Sequence, residues 1–189
     1  NPGTSHLTLM TDMTHKTYTF LALGDSYTIG ESVLPAENFP NQTVQLLRKE
    51  SFDFHLPEIV AKTGWTTDEL QETINKHKFL PSYDFVSLLI GVNNQYRGRT
   101  VENYKPEFES LLQQAIRFAG KKNDHVIVLS IPDSGVTPFA EDRDRKQIAK
   151  EIDEYNAANK MIAEKYKVYY VDITSGTREA ANDPSLLAA

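Results

Sequence analysis

Apolar positions along this chain alternate between two rhythms. Short runs rich in β-forming residues, at 18–23, 56–61, 84–90, 125–131 and 167–173, read as strands. Between them the apolar spacing turns helical. Residues 41–50 place Val44 and Leu47 on one face. Thr66 and Glu69 form a capping box that starts a second helix, and Pro81 and Ser82 close that connection. Thr100 caps a long helix whose core positions are Val101, Tyr104, Phe108, Leu111, Leu112, Ala115 and Ile116, and Gly120 ends it. A charged helix over 141–165 buries Ile148, Ile152, Tyr155 and Ile162. Residues 31–39, with Pro35 and Asn38, and residues 95–99 read as loops.

Strands joined by helices imply right-handed crossovers and one parallel sheet covered on both faces. The run 84–90 is apolar almost throughout, as a central strand buried on both sides must be. The fold expected is a three-layer, doubly wound α/β domain with a five-stranded parallel sheet in a flavodoxin-like order. In such a sheet every strand ends at the same edge. The turns at 24–26, 62–64, 91–94, 132–134 and 172–174 therefore converge there.

Composition narrows the function. The 189 residues, 40% of them hydrophobic, suit one domain, and a net charge of −6 with signs interspersed argues against a nucleic-acid partner. With no cysteine there is no disulfide, thiolate metal site or cysteine nucleophile; this fits the cytoplasm and leaves secretion after signal removal open. No apolar run reaches the roughly 18 residues of a membrane span. Residues 1–16 are polar and aperiodic, read as a cloning scar or flexible leader, so the single domain is expected over 17–189.

The chemistry centres on Gly24-Asp25-Ser26, where the first strand stops at a turn and puts a serine hydroxyl outside the sheet edge. Its plain alternative is a βα turn in which Ser26 merely caps the next helix. Gly64 after the second strand and Gly91-Val92-Asn93-Asn94 after the third complete a pattern that resembles the SGNH, or GDSL-type, hydrolases. The resemblance runs from Thr17 to the end of the sequence, and the stretch from Tyr155-Asn156 to Val171-Asp172-Ile173 is similar to that family's last helix and strand. It implies Ser26 as nucleophile on an acyl carbonyl. The oxyanion would be held by the backbone N–H groups of Ser26 and Gly64 and by the Asn93 side-chain amide, all three facing one small pocket. A serine hydroxyl needs a base to become nucleophilic, and the developing oxyanion needs donors already in place. Gly64 can equally be a turn residue before a capped helix, and Asn93 can serve only its βα loop.

The sequence departs from that family in three places. Tyr27 follows the serine where leucine is usual, and Asn94 stands where aspartate is usual. The family's base comes from a C-terminal Asp-x-x-His, whereas this sequence reads Asp183-Pro184-Ser185-Leu186-Leu187-Ala188-Ala189. Topology places His55, His77 and His125 at the opposite, amino edge, and His6 and His15 in the leader. The polypeptide is therefore expected to continue past Ala189 into the triad segment, and the 189 residues alone to bind but hydrolyse poorly.

Asp133 and Asp172 sit at strand ends, where they can orient a base, touch substrate or metal, or cap a turn. Arg97 and Arg99 suit either an anionic or sugar-borne substrate or a solvated loop; Trp65 suits an acyl pocket or the core; the charges at 141–150 suit an exposed helix face. Two function classes emerge. One is a serine esterase without cofactor or metal, acting on short acyl or acetyl esters through an acyl-enzyme. The other is a non-catalytic flavodoxin-like binding module, or a hydrolase scaffold that has lost its base.

Overall fold

The computed structural model describes residues 15–31, 34, 37–133 and 144–180. The strands are β1 (Thr17–Tyr18), β2 (Phe20–Gly24), β3 (Asp53–Phe54), β4 (Glu58–Ala61), β5 (Phe85–Leu88), β6 (Val126–Leu129) and β7 (Tyr169–Val171). The helices are α1 (Ser26–Ile29), α2 (Phe39–Lys49), α3 (Thr67–Lys76), α4 (Val92–Tyr96), α5 (Val101–Phe118), α6 (Arg145–Lys165) and α7 (Thr174–Ala180). Five strands form one all-parallel sheet in the order β4-β2-β5-β6-β7, the doubly wound order expected from the sequence. β1 and β3 form a separate two-residue parallel pair.

The sheet carries apolar layers on both faces. Leu21, Leu23, Val86, Leu88, Val126 and Val128 point into a large core shared with α3, α5 and α6. Phe20 and Ala22 point the other way, against Val44 of α2 and Phe54. Adjacent residues of β2 thus serve opposite layers, the period-2 consequence of a strand buried on both sides. Of the helix-spaced residues read from the sequence, Tyr104, Phe108, Leu111, Leu112 and Ala115 on α5 and Ile148, Ile152, Tyr155 and Ile162 on α6 are buried, whereas Val101 and Ile116, at the margins of the α5 stripe, are only partly covered.

Differences from the sequence reading lie at element ends and in short pieces. α2 starts at Phe39 because the Asn38 side chain accepts from the Asn41 N–H and Pro40 sits in the first turn. The polar loop assigned from residue 95 is partly helix α4, which starts after Gly91. Gly91 has φ +136°, and a Cβ there would stand 2.9 Å from the Tyr104 hydroxyl. His125 belongs to a 3-10 turn, Asn123–His125, and β6 starts after it. α7 comes after β7 because Asp172 Oδ1 accepts from the N–H groups of Thr174 and Ser175. His15 and Lys16, assigned to the leader, are tied down by Asp53 at 2.9 Å and Asp84 at 2.7 Å. Pro35, Ser134, Gly135, residues 141–143 of the charged helix, His6 and residues 183–189 lie outside the described residues. Among the described residues no helix is long and apolar enough to cross a membrane.

Candidate active site

β2 ends where its neighbours force it to. Gly24 pairs with Ala61 of β4, and a Cβ on it would lie 2.7 Å from the Leu89 carbonyl oxygen and 2.8 Å from Thr28 Cβ. Only glycine lets α1 fold back this close to the sheet. Asp25 then caps α1, its Oδ1 accepting from the Tyr27 N–H at 3.0 Å. Ser26 is the first residue of α1 and half-buried. No acceptor among the described residues takes its backbone N–H, as expected of a first-turn helical donor.

The second turn stands beside it. Three residues beyond Ala61, Gly64 has φ +84° at the third position of the turn Lys62–Trp65, which the Trp65 N–H closes onto the Lys62 carbonyl at 3.3 Å. That position and sign are the requirement of a type II turn. Its middle peptide, which carries the Gly64 N–H, takes no part in the closing bond, and this N–H too finds no acceptor among the described residues. From the third strand end, the Asn93 Nδ2 donates to the Trp65 carbonyl at 3.0 Å, joining α4 to the Gly64 turn. An amide nitrogen carries two protons, so one donor remains. The arrangement offers two backbone N–H groups and one amide proton at neighbouring strand ends, the equipment for receiving developing negative charge.

Asp25 is wholly buried, and its Oδ2 meets no partner among the described residues. Burial pushes this carboxyl up to about 7, against the opposing pull of its backbone N–H bonds. In the unfolded chain it ionises near pH 4. Its contribution to stability is therefore full below about pH 4 and is lost as pH rises through about 7. Asp25→Asn, alike in shape and without a charge to bury, is expected to flatten that slope. Its advantage over wild type should be greatest above pH 7, on the order of 2 kcal/mol. Thermal melts of both proteins from pH 4 to 8 measure it.

Asn94 has a structural reason to be an amide. The Thr67 hydroxyl gives its one proton to Glu107 at 2.7 Å and so can only accept from Asn94 Nδ2, at 2.8 Å. Asn94 Oδ1 accepts from the Thr67 N–H at 3.1 Å. An aspartate would face that hydroxyl with an acceptor where a donor is needed.

The other sequence candidates are also engaged. Asp133 is buried and paired with Arg178 at 3.0 Å. Its negative charge, with those of Asp25 and Glu31, adds to the burial that pushes Tyr27 up to about 12. Asp172 caps α7 and accepts from the Ser130 and Ser175 hydroxyls, which hold it below the usual carboxylate range. Arg99 pairs with Asp68 at 2.5 Å and holds that carboxyl down to about 2. Arg97 binds the Gly64 carbonyl and Glu69. Trp65 is half-buried and packs on the main core. The charged face of α6 is exposed at Arg145, Lys146, Gln147 and Lys150.

The four described histidines stand at the amino edge. His15 bonds Asp53, His77 bonds Glu58, His55 precedes β4, and His125 donates to the Asp84 carbonyl while stacking on Phe85. Among the described residues no cluster of three or more His, Asp or Glu could hold a metal ion. Two surface clefts, of about 320 and 260 Å³, are lined by Thr67, Glu107 and neighbours and by Phe20, Tyr83 and neighbours. Neither includes Ser26, Gly64 or Asn93.

Fold and site together define a doubly wound α/β protein with a serine-bearing turn at the carboxyl edge of its sheet. The chain belongs to the GDSL-like lipase/acylhydrolase family, whose model matches residues 22–189. No curated protein matches it in sequence. Among solved structures it is similar to AlinE4, an SGNH-hydrolase family esterase, with TM-score 0.70 and 19% identity over 91% of this chain and 83% of that one. It is also similar to Axe2, an acetylxylan esterase from Geobacillus stearothermophilus, with TM-score 0.70 and 20% identity over 90% and 84%. TesA is a third, with TM-score 0.61 and 16% identity over 80% and 76%.

Proposed function

We propose that this protein is a serine ester hydrolase that cleaves short acyl or acetyl esters through an acyl-enzyme. The observation that carries the reading is the pairing of the Ser26 turn with a left-handed Gly64 turn tied to Asn93, both with N–H groups left open among the described residues. In the proposed reaction the Ser26 hydroxyl attacks the ester carbonyl and gives its proton to a base. The carbonyl oxygen becomes an oxyanion held by the N–H groups of Ser26 and Gly64 and by the Asn93 amide. The alkoxide departs with the proton, and water repeats the sequence to release the acid. No metal or cofactor enters the scheme. The base is assigned to a residue outside those described, since each described histidine stands at the far edge. The short-ester preference takes support from the names of two neighbours, an esterase and an acetylxylan esterase. Hydrolysis of p-nitrophenyl acetate by the intact gene product, with a burst lost in Ser26→Ala, tests the reading. Equal behaviour of the two proteins would contradict it, and absence of hydrolysis in both would leave the binding module.

A further inference from the structure

Arg97 has no place in that scheme, yet it grips the turn on which the scheme depends. We propose that Arg97 is a positioning residue, its guanidinium fork fastening the Gly64–Trp65 peptide to α3 and so limiting the swing of the adjoining Thr63–Gly64 peptide, whose N–H is to face the oxyanion. The inference rests on the esterase reading.

The geometry is specific. The Arg97 N–H donates to the Asn93 carbonyl at 3.0 Å, so the two residues stand one helical turn apart on the same side of α4. Asn93 holds the Trp65 carbonyl, and Arg97 Nη2 holds the preceding one, that of Gly64, at 2.8 Å. The other arm of the fork, Nη1, meets Glu69 Oε1 at 2.8 Å. Glu69 is itself fixed at the start of α3 as the far half of a capping box, its Oε1 accepting from the Thr66 N–H at 3.3 Å. One short helix thus clamps two successive carbonyls, and the clamp is anchored to a helix start.

The turn needs this help. Its own closing bond is long, at 3.3 Å. Gly64 is the residue type with the widest backbone freedom, and among the described residues other than its two chain neighbours the one atom within 4 Å of where its Cβ would be is Arg97 Nη2, at 3.9 Å. With no side chain to wedge the turn, the carbonyl bonds fix its orientation. An oxyanion donor works only when already placed, and a displacement of about 1 Å costs about 100-fold in rate. Arg97 is itself substantially exposed, so its ion pair adds little to folding. A lysine keeps the charge but replaces the planar two-armed fork by a single, flexibly held ammonium nitrogen.

The test compares the intact gene product with its Arg97→Ala, Arg97→Lys and Ser26→Ala variants on p-nitrophenyl acetate. Arg97→Ala is expected to lower kcat by about 10- to 100-fold while KM stays within about twofold and Tm within about 4 °C. Arg97→Lys is expected to stay below wild type. Wild-type kcat in either variant overturns the proposal, as does a loss confined to KM or one matched by a collapse in Tm. Full hydrolysis by Ser26→Ala instead contradicts the esterase reading and removes this proposal with it; a dead Ser26→Ala beside an undiminished Arg97→Ala removes this proposal alone.

Discussion

Ser26→Ala is expected to abolish the p-nitrophenyl acetate burst and to lower kcat by about 10⁴- to 10⁶-fold. The substitution deletes the one atom on which the proposed acyl-enzyme would form and leaves the fold untouched. Ser26 Oγ does not cap α1; Asp25 does, through the Tyr27 N–H. The Ser26 N–H also survives, so the proposed anion site keeps its donors and KM should change little. Steady-state and stopped-flow kinetics on the intact gene product, with a thermal melt as control, measure the effect.

Asn93→Ala is expected to cost about 10²- to 10³-fold in kcat, with a smaller change in KM. Two losses combine. The amide proton left after the Trp65 bond is gone, and so is the bond that holds the Gly64 turn to α4. Ground-state binding does not need an oxyanion donor, which is why the loss should fall on kcat. Asn93→Asp should be at least as slow, because it replaces a donor by a negative charge beside the developing oxyanion. An unchanged kcat in Asn93→Ala, measured on the same ester, would reduce Asn93 to a loop-holding residue.

The sheet is legible in the sequence because long segments carry redundant signals. The residues of α5 repeat at helical spacing along its 18 residues, and the apolar run at β5 leaves no room for a solvated face. Short elements carry no such redundancy. α4 has five residues, too few for a period, and its real signal is Gly91, whose need for φ +136° shows only once Tyr104 is packed against it. The apolar pattern alone places α2 two residues late; Asn38 and Pro40 mark its true start through the cap rather than through periodicity.

The candidate site is legible in a different way. Ser26, Gly64 and Asn93 stand out through the order of motifs at strand ends. Two residues in contact with that order do not, or only ambiguously. Asn94 reads as a departure, and the reason it is an amide lies in a proton count at Thr67 and Glu107, side chains that only folding brings to it. Arg97 reads as a substrate or solvent residue, and its bond to the Gly64 carbonyl spans 33 residues that no local pattern connects. In the sequence Asp133 and Asp172 are open between chemistry and capping; Arg178 and the start of α7 occupy them.

Covalent trapping tests the central assignment most directly. The intact gene product is treated with a fluorophosphonate, which reacts with an activated serine, and digested for peptide mapping by tandem mass spectrometry. One stoichiometric adduct on Ser26 is expected, absent from Ser26→Ala and slowed in Asn93→Ala, since the phosphonyl oxygen draws on the same donors. An adduct on another residue, or an unmodified Ser26 in protein that hydrolyses the ester, would contradict it.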